Sequence, residues 1–300
     1  MLWFSILGCR INNKQMMVIG VIKLSISQQQ IVEALEVKPD IDPVEEINKR
    51  KEFLKSYAKK AHVSGYVLGI SGGQDSTLAG KLAQMAIEEL NEEEDKEYSF
   101  IAVRLPYGEQ FDEDDAQQAL KYISPSKTIT INIQQAVDAA EEAFEQAVGH
   151  KMSDFNKGNT KARERMKAQY DLAAEFGCLV IGTDHAAEAV TGFYTKYGDG
   201  ACDVAPLFGL NKRQGKELLR KLDAPAHLYE KVPTADLESD KPGISDEEAL
   251  GVTYDDIDNF LEGKTVSEAV KVNLITRYTQ TEHKRQLPVT IQDDWWNEGK

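Results

Sequence analysis

The sequence predicts an α/β fold with a doubly wound parallel sheet, covered by helices on both faces, and a helical C-terminal part. Two observations lead to this prediction. Short apolar runs alternate with longer helical patterns, and a glycine-rich loop joins one apolar run directly to a helix. Such alternation is typical of βαβ units. Ligands of open parallel sheets bind at the carboxyl ends of the strands. We therefore expect the functional residues to follow the strands.

Four short runs rich in apolar residues are predicted to be strands. The first is bounded by glycines, as expected for a buried strand, and the others carry Val, Ile and Thr. The predicted strands cover residues 66–70, 100–105, 128–133 and 178–183.

The segments between these runs show helical patterns. After the glycine-rich loop, apolar residues recur at helical spacing through Leu90. Asp42 is a suitable N-cap, and Pro43 suits the first turn that follows it. Further helices are predicted over residues 25–35, 43–61, 112–122, 134–148 and 159–176, and the chain from residue 212 onward is mostly helical.

One long polar stretch, residues 234–248, interrupts the helical C-terminal part. It contains Pro242-Gly243 and six acidic residues. A connection of this length is expected to be a functional lid or a disordered segment.

Composition narrows the class of protein. The 300 residues are 41% apolar and 28% charged, with a formal net charge of −15. This charge argues against a general nucleic-acid binder, which needs a basic face. The three cysteines, Cys9, Cys178 and Cys202, form no CxxC pair, so neither a disulfide framework nor a zinc site is indicated. A reducing, cytoplasmic setting fits best. Cys178 lies in a predicted strand, and we expect neither it nor Cys202 to be a nucleophile.

The first 23 residues differ from the rest. Their apolar run is too short for a signal core, and Arg10 and Lys14 follow it closely, which argues against a membrane span. We expect residues 1–23 to be a disordered extension or an over-long start, and residues 24–300 to form a single domain.

The loop over residues 71–77 is the strongest functional signal. Gly72 and Gly73 let the backbone approach a ligand closely, and the free N–H groups of the following helix attract anions. An acid in a phosphate cradle is repulsive unless a cation bridges it, so Asp75 indicates Mg²⁺. A Walker A loop is disfavoured, because Lys81 is followed by Leu82 rather than Ser or Thr. The simpler interpretation is a tight turn before a capped helix.

This loop resembles the pyrophosphate-binding loop of the N-type ATP pyrophosphatases, a superfamily with an adenine nucleotide alpha hydrolase-like fold. Later segments resemble one member family, the NAD⁺ synthetases, in order along the chain. They are FNKGNTKARERM at 155–166, GTDHAAE at 182–188, GFYTKYGDG at 192–200, PL at 206–207, LNK at 210–212, PTADL at 233–237 and HKR at 283–285. The resemblance runs from about residue 24 to the C-terminus and is to the short, ammonia-dependent form, since the chain has no room for an amidase domain.

The resemblance implies a reaction and its partners. The carboxylate of nicotinic acid adenine dinucleotide (deamido-NAD⁺) would attack the α-phosphorus of ATP, pyrophosphate would leave, and ammonia would then displace AMP to give NAD⁺. Mg²⁺ is the implied cofactor, and a homodimer is implied, with residues 112–122 and 134–148 as possible interface helices. Neither nucleic acid nor a membrane is expected as a partner.

The resemblance also implies roles for individual residues. Asp75 and Glu188 would hold the metal. Asp203, Lys212 and Asp75 would be catalytic, with Asp203 near the nicotinate, where it could hold or deprotonate ammonium. Deamido-NAD⁺ would be bound by Arg163, Lys196, Asp203, His283 and Lys284. ATP would be bound by Gly69, Ile70, Ser71, Gly72, Gly73, Gln74, Asp75, Ser76, Thr183, Lys212 and Thr234.

Two alternatives remain open from the residues. One is another N-type pyrophosphatase, such as a tRNA-modifying ligase, which the net charge of −15 disfavours. The other is a non-catalytic nucleotide-binding protein, which would not need Asp75, Glu188 and Lys196 together.

Overall fold

The computed structural model describes residues 26–108, 113–230 and 246–296. The predicted extension, Thr234 and most of the polar stretch 234–248 lie outside these residues; Asp246 to Glu248 begin a helix. Four parallel strands form one sheet in the order β3-β2-β1-β4. They are β1 (Gly65–Gly69), β2 (Ser99–Arg104), β3 (Lys127–Thr130) and β4 (Leu179–Val180). The predicted parallel sheet is confirmed.

The last two strands are shorter than predicted. β3 leaves the ladder after Thr130, although Ile131 N still donates to Arg104 O at 2.9 Å. β4 pairs with β1 only at Leu179 and Val180. Beyond it, Ile181 forms a bridge with Val204, and Gly182 N donates to Val204 O at 2.8 Å. The backbone of residues 181–182 thus pairs with a returning segment, which a reading of local pattern cannot anticipate.

Helices connect and cover the strands. In chain order they are α1 (Gln28–Ala34), α2 (Pro43–Ala61), α3 (Gln74–Glu93), α4 (Glu113–Ile123), α5 (Gln134–Val148), α6 (Asp154–Phe176), α7 (Ala186–Thr191), α8 (Lys212–Lys221), α9 (His227–Glu230), α10 (Asp246–Leu250), α11 (Tyr254–Leu261), α12 (Glu268–Gln280) and α13 (Glu282–Arg285). In the described ranges, no helix is both long and apolar enough to cross a bilayer.

Capping residues explain where the helices begin. Asp42 caps α2 as predicted, since its side chain accepts from the N–H groups of Val44 and Glu45. The predicted start of α6 at residue 159 is wrong by five residues, because Ser153 caps the helix and its Oγ accepts from Asn156 N. Similarly, α1 begins at Gln28 rather than at residue 25, because Ser27 forms a capping box with Gln30.

Three groups of buried side chains hold these elements together. Alternate residues of β1, such as Tyr66 and Leu68, pack against α2, α3 and α8 on one face. Val67, between them, packs against α5 and α6 on the other, so helices cover both faces. A third group, which includes Phe260 and Leu274, joins α1, α7, α11 and α12. The helical C-terminal part therefore packs directly against α7, the helix that carries Glu188.

Candidate active site

The loop after β1 forms a compact turn held by its own hydroxyl groups. Gly73 N donates to Ser71 Oγ at 3.2 Å, and Ser71 Oγ lies 3.0 Å from Ser76 Oγ. Thr77 Oγ1 donates to Gly73 O at 2.7 Å. Gly73 occupies the N-cap of α3 without any side-chain cap, so the first N–H groups of this 20-residue helix remain available to an anion.

Gly72 is required by two separate constraints. Its φ is +85°, a conformation that side-chain-bearing residues rarely adopt. A Cβ at this position would also lie 2.6 Å from Ala116 N, in the backbone of α4. The loop is therefore pressed against α4 where no side chain fits.

Arg104, at the end of β2, connects the start of the same loop to α4. The residue is 2% exposed, and one guanidinium nitrogen donates to Ile70 O. Another donates to Glu113 Oε2 at 2.8 Å, which ties the loop to the first turn of α4. The end of β2 thereby fixes the carbonyl group of Ile70, the residue immediately before the loop.

Asp75 and Lys212 meet at the mouth of the loop. Lys212 Nζ donates to Asp75 Oδ2 at 2.7 Å, and the Lys212 side chain is 5% exposed while that of Asp75 is 20% exposed. Asp75 is in the first turn of α3 and Lys212 is the first residue of α8. The contact therefore joins two helix N-termini.

A network of backbone hydrogen bonds fixes Lys212. The Asp258 carboxylate accepts from Lys212 N at 3.1 Å and from Arg213 N at 2.8 Å. Gln74 Nε2 donates to Lys212 O at 2.9 Å, and a Cβ on Gly215 would lie 2.6 Å from that nitrogen. The start of α8 is thus anchored to α3 and α11 at once.

Glu188 approaches the same place from α7. His185 caps α7, with Nδ1 accepting from Glu188 N at 3.4 Å. His185 Nε2 lies 3.5 Å from Asp75 Oδ1 and 3.7 Å from Glu188 Oε1. Three of the predicted residues, Asp75, Lys212 and Glu188, are therefore brought together, with His185 between the two acids.

The two carboxylates form a donor set that suits magnesium. One ligand atom from each of Asp75, His185 and Glu188 can be chosen so that all lie within 4.8 Å of one another. Mg²⁺ prefers oxygen ligands and is commonly held by one or two carboxylates together with substrate phosphates. The free N–H groups of α3 lie beside Asp75, where such phosphates would bind. The residues present fit that metal.

Electrostatics divide the acids of this cluster into two classes. Burial disfavours ionisation of Asp75, but Lys212 and His185 outweigh it and hold its pKa well below the usual range. Burial and the charges of Asp75 and Asp184 raise the pKa of Glu188. Burial and the charge of Asp199 raise the pKa of Asp184 to about 7. The arrangement therefore contains more carboxylates than its own cations neutralise.

A second set of predicted residues surrounds the turn after α7. Lys284 Nζ donates to Gly192 O at 2.8 Å and to Tyr194 O at 2.7 Å. Lys196 Nζ donates to His283 O and, at 3.3 Å, to Gln286 O. Lys196, His283 and Lys284 are thus brought together, but as ties between the 192–196 turn and the C-terminal segment.

The 192–200 segment is also tied to α6 through the motifs noted in the sequence. Thr195 N donates to Asp199 Oδ1 at 2.9 Å, and Thr195 Oγ1 donates to Asn159 Oδ1 at 2.9 Å. Asp199 is an exposed residue, but desolvation of its carboxylate raises its pKa. Glu188, Asp184 and Asp199 thus form a row of acids, and Asp199 is the member that Lys284 influences.

Within the described residues, Asp203, Arg163 and Thr183 make no hydrogen bond or ion pair with Asp75, Lys212 or Glu188. Asp203 is exposed; its Oδ2 accepts from Val180 N at 2.8 Å, and its Oδ1 lies 3.4 Å from the Tyr170 hydroxyl. Arg163 is exposed on α6. Thr183 is partly buried just after β4.

The sequence interpretation gave no role to Asp184, His185 or Asp199, although all three stand in the quoted motifs. The available signal was position, because Asp184 and His185 lie between a strand end and a helix that carries a predicted ligand. Burial raises the pKa of Cys178 to about 11 and that of Cys202 to about 12, which is the opposite of what activates a thiol.

A glycine-containing turn that opens a helix and a carboxylate–ammonium cluster at the carboxyl ends of parallel strands are typical of nucleotide-binding proteins of the α/β class. The family model described as NAD synthase matches residues 46–288. The chain belongs to the NAD synthase family, a family of ligases.

Individual relatives agree with this assignment. The chain is 68% identical over 270 residues to the NH(3)-dependent NAD(+) synthetase of Halalkalibacterium halodurans, covering 90% of this chain and 99% of that protein. It is 61% identical over 271 residues to the NH(3)-dependent NAD(+) synthetase of Streptococcus pyogenes serotype M1, covering 90% and 98%.

Two solved structures share the fold. The NAD⁺ synthetase from Burkholderia pseudomallei superposes with a TM-score of 0.75 at 44% identity, over 87% of this chain and 96% of that one. The NMN synthetase from Francisella tularensis superposes with a TM-score of 0.73 at 34% identity, over 85% and 100%. The predicted fold and family are confirmed.

The loop geometry predicts different effects for its two glycines. We expect Gly72→Ala to lower the free energy of unfolding by about 1–3 kcal/mol, because it combines a strained φ with a backbone clash. Gly73→Ala is the matched control, since Gly73 has φ −77° and its added Cβ would meet only Ser71 Oγ at 3.3 Å. Its cost should stay below about 1 kcal/mol. Urea unfolding measures both, and equal losses would contradict this account.

The raised pKa of Asp184 predicts how stability depends on pH in metal-free buffer. The folded protein binds more protons than the unfolded chain between about pH 4 and pH 7, so the free energy of unfolding falls as pH rises through that window. The stabilisation gained by Asp184→Asn should therefore grow by roughly 1–3 kcal/mol between pH 5 and pH 8. Denaturant unfolding in EDTA measures this difference, with Asp171→Asn, at an exposed ion pair, as the control. A gain that is independent of pH would refute the prediction.

Proposed function

We propose that this protein catalyses the ATP-dependent amidation of deamido-NAD⁺ with ammonia to give NAD⁺, AMP and pyrophosphate. The observation that carries the proposal is the convergence of Asp75, Lys212 and Glu188 at the mouth of the phosphate-binding turn. The relatives support the same reaction, because they are named as ammonia-dependent NAD⁺ synthetases.

In the first step, a carboxylate oxygen of deamido-NAD⁺ bonds to the α-phosphorus of ATP and the bond to pyrophosphate breaks. The free N–H groups of α3 and the Lys212 ammonium, which meet at the turn, would hold the β- and γ-phosphates. Gly69, Ile70 and residues 71–76 form this cradle in the proposal, and Thr183 and Thr234 contact ATP elsewhere. Mg²⁺, held by Asp75 and Glu188, would neutralise charge on the departing pyrophosphate.

In the second step, ammonia forms the C–N bond and the C–O bond to AMP breaks. Ammonium must first lose a proton. We assign that role to Asp203, whose exposed carboxylate is held in place by Val180 N. Arg163, exposed on α6, supplies a guanidinium for the substrate phosphates.

Lys196, Lys284 and His283 complete the proposed deamido-NAD⁺ site. The ammonium groups of Lys196 and Lys284 each have three N–H donors. Each group donates two of them to backbone carbonyls, which leaves one for the substrate. Burial lowers the pKa of Lys284. These residues would thus shape the site and contact the substrate at once. We also propose a cytoplasmic homodimer, with no nucleic acid or membrane partner.

A pyrophosphate-release assay tests the proposed function. Release should require ATP, Mg²⁺ and deamido-NAD⁺ together, and NAD⁺ should form with ammonium but not with glutamine. Nicotinic acid mononucleotide is the informative alternative acid, because one structural relative is an NMN synthetase. Release with that acid alone would reassign the substrate, and release dependent on tRNA would favour a tRNA-modifying ligase. If no acid supports release, the proposal is wrong.

Lys212 should contribute strongly to this reaction. Lys212→Met keeps the length and apolar stem but removes the ammonium, and we expect kcat/KM for ATP to fall about 10²–10³-fold. Lys221→Met, at the exposed end of the same helix, is the matched control and should change the rate little. A similar loss in both variants would show that the effect comes from the stability of α8 rather than from the site.

A further inference from the structure

His185 is the one member of the metal-binding candidates that the reaction above does not use. It is 3% exposed and stands between Asp75 and Glu188. Its Nε2 is buried and makes no hydrogen bond within the described ranges. A buried polar nitrogen without a partner is costly, so its position calls for a reason.

The other ring nitrogen determines what Nε2 can do. Nδ1 accepts a hydrogen bond from Glu188 N at 3.4 Å, as the N-cap of α7. A nitrogen that accepts carries no proton, and in a neutral imidazole the second nitrogen then carries it. Nε2 is therefore an N–H donor that lies 3.5 Å from Asp75 Oδ1 and 3.7 Å from Glu188 Oε1, with no lone pair to offer a cation.

This arrangement differs from that of histidines that bind metals. A ligating histidine donates the N–H of its other ring nitrogen to a carboxylate, carbonyl or water. His185 does the reverse, because its other nitrogen accepts from the backbone. To ligate through Nε2, the ring would have to move its proton to Nδ1 and set two N–H groups against each other at the cap.

We propose that His185 is a positioning residue: its Nε2–H orients the Asp75 carboxylate for the metal, and it does not itself bind the metal. Lys212 holds Asp75 Oδ2 at 2.7 Å, and His185 faces Oδ1 at 3.5 Å. Each carboxylate oxygen has two lone pairs, so both keep one for a cation. The inference rests on the magnesium site proposed above.

Two substitutions separate the functions of the ring. His185→Asn keeps an acceptor near the Nδ1 position, where Asn is a good N-cap, but cannot reach Asp75. His185→Gln places an amide N–H near the Nε2 position but caps poorly. We expect His185→Asn to weaken Mn²⁺ binding about 10–100-fold, measured with a non-hydrolysable ATP analogue, and His185→Gln to stay within about threefold of wild type. His185→Gln should nevertheless melt at a lower temperature than His185→Asn.

The opposite pattern would overturn the proposal. Normal Mn²⁺ affinity in His185→Asn would mean that the ring serves only as a cap, and equal large losses in both variants would mean that it is a ligand. The ¹⁵N chemical shifts of the His185 ring give a readout without metal: the proposal requires the Nε2–H tautomer, unchanged when Mg²⁺ and the analogue are added. Absence of Mn²⁺ binding to the wild-type protein would overturn the proposed metal site, whereas an Nδ1–H tautomer would overturn this inference alone.

Discussion

The contact between Asp75 and Lys212 is the interaction on which the rest of the site depends. It joins residues 137 positions apart and brings the N-terminus of α8 against that of α3. Both helix ends carry partial positive charge, and the Lys212 ammonium adds a full one. In a chain with a net charge of −15, these positive groups partly offset the acids of the site, as binding of an anionic substrate requires.

Beyond this contact, the site accumulates acids rather than balancing them. Glu188, Asp184 and Asp199 all have raised pKa values, and each lies within range of another carboxylate. Like charges held together store free energy that a cation can recover on binding. The helices that impose this proximity are themselves fixed elsewhere. α7 packs in the buried group that includes Phe260, and the Asp258 carboxylate accepts from the first two N–H groups of α8. The stability of the C-terminal helices thus maintains the repulsion at the site.

Local patterns were sufficient to predict much of this molecule. The four strands, the Asp42 cap and the turn before α3 each depend on residues within a few positions of one another. The convergence of Asp75 and Glu188 also followed, because both stand after parallel strands whose carboxyl ends share one edge. The local patterns did not predict the features that depend on residues distant in the sequence. The backbone of residues 181–182 pairs with Val204, and the sequence of residues 178–183 contains no signal for that pairing. The roles of Lys196 and Lys284 as ties to backbone carbonyls were hidden for the same reason, since carbonyl groups carry no sequence signal.

These ties give the C-terminal segment a part in the site. Lys284 holds the carbonyls of Gly192 and Tyr194, while Lys196 holds those of His283 and Gln286, so the two segments clasp each other in both directions. The 192–200 segment also carries Asp199, which raises the pKa of Asp184. The charge state of Asp184, beside Glu188, therefore depends on a turn that Lys284 holds in place. A substrate that takes the remaining donors of these two ammonium groups would bind at the joint between the C-terminal segment and the row of acids.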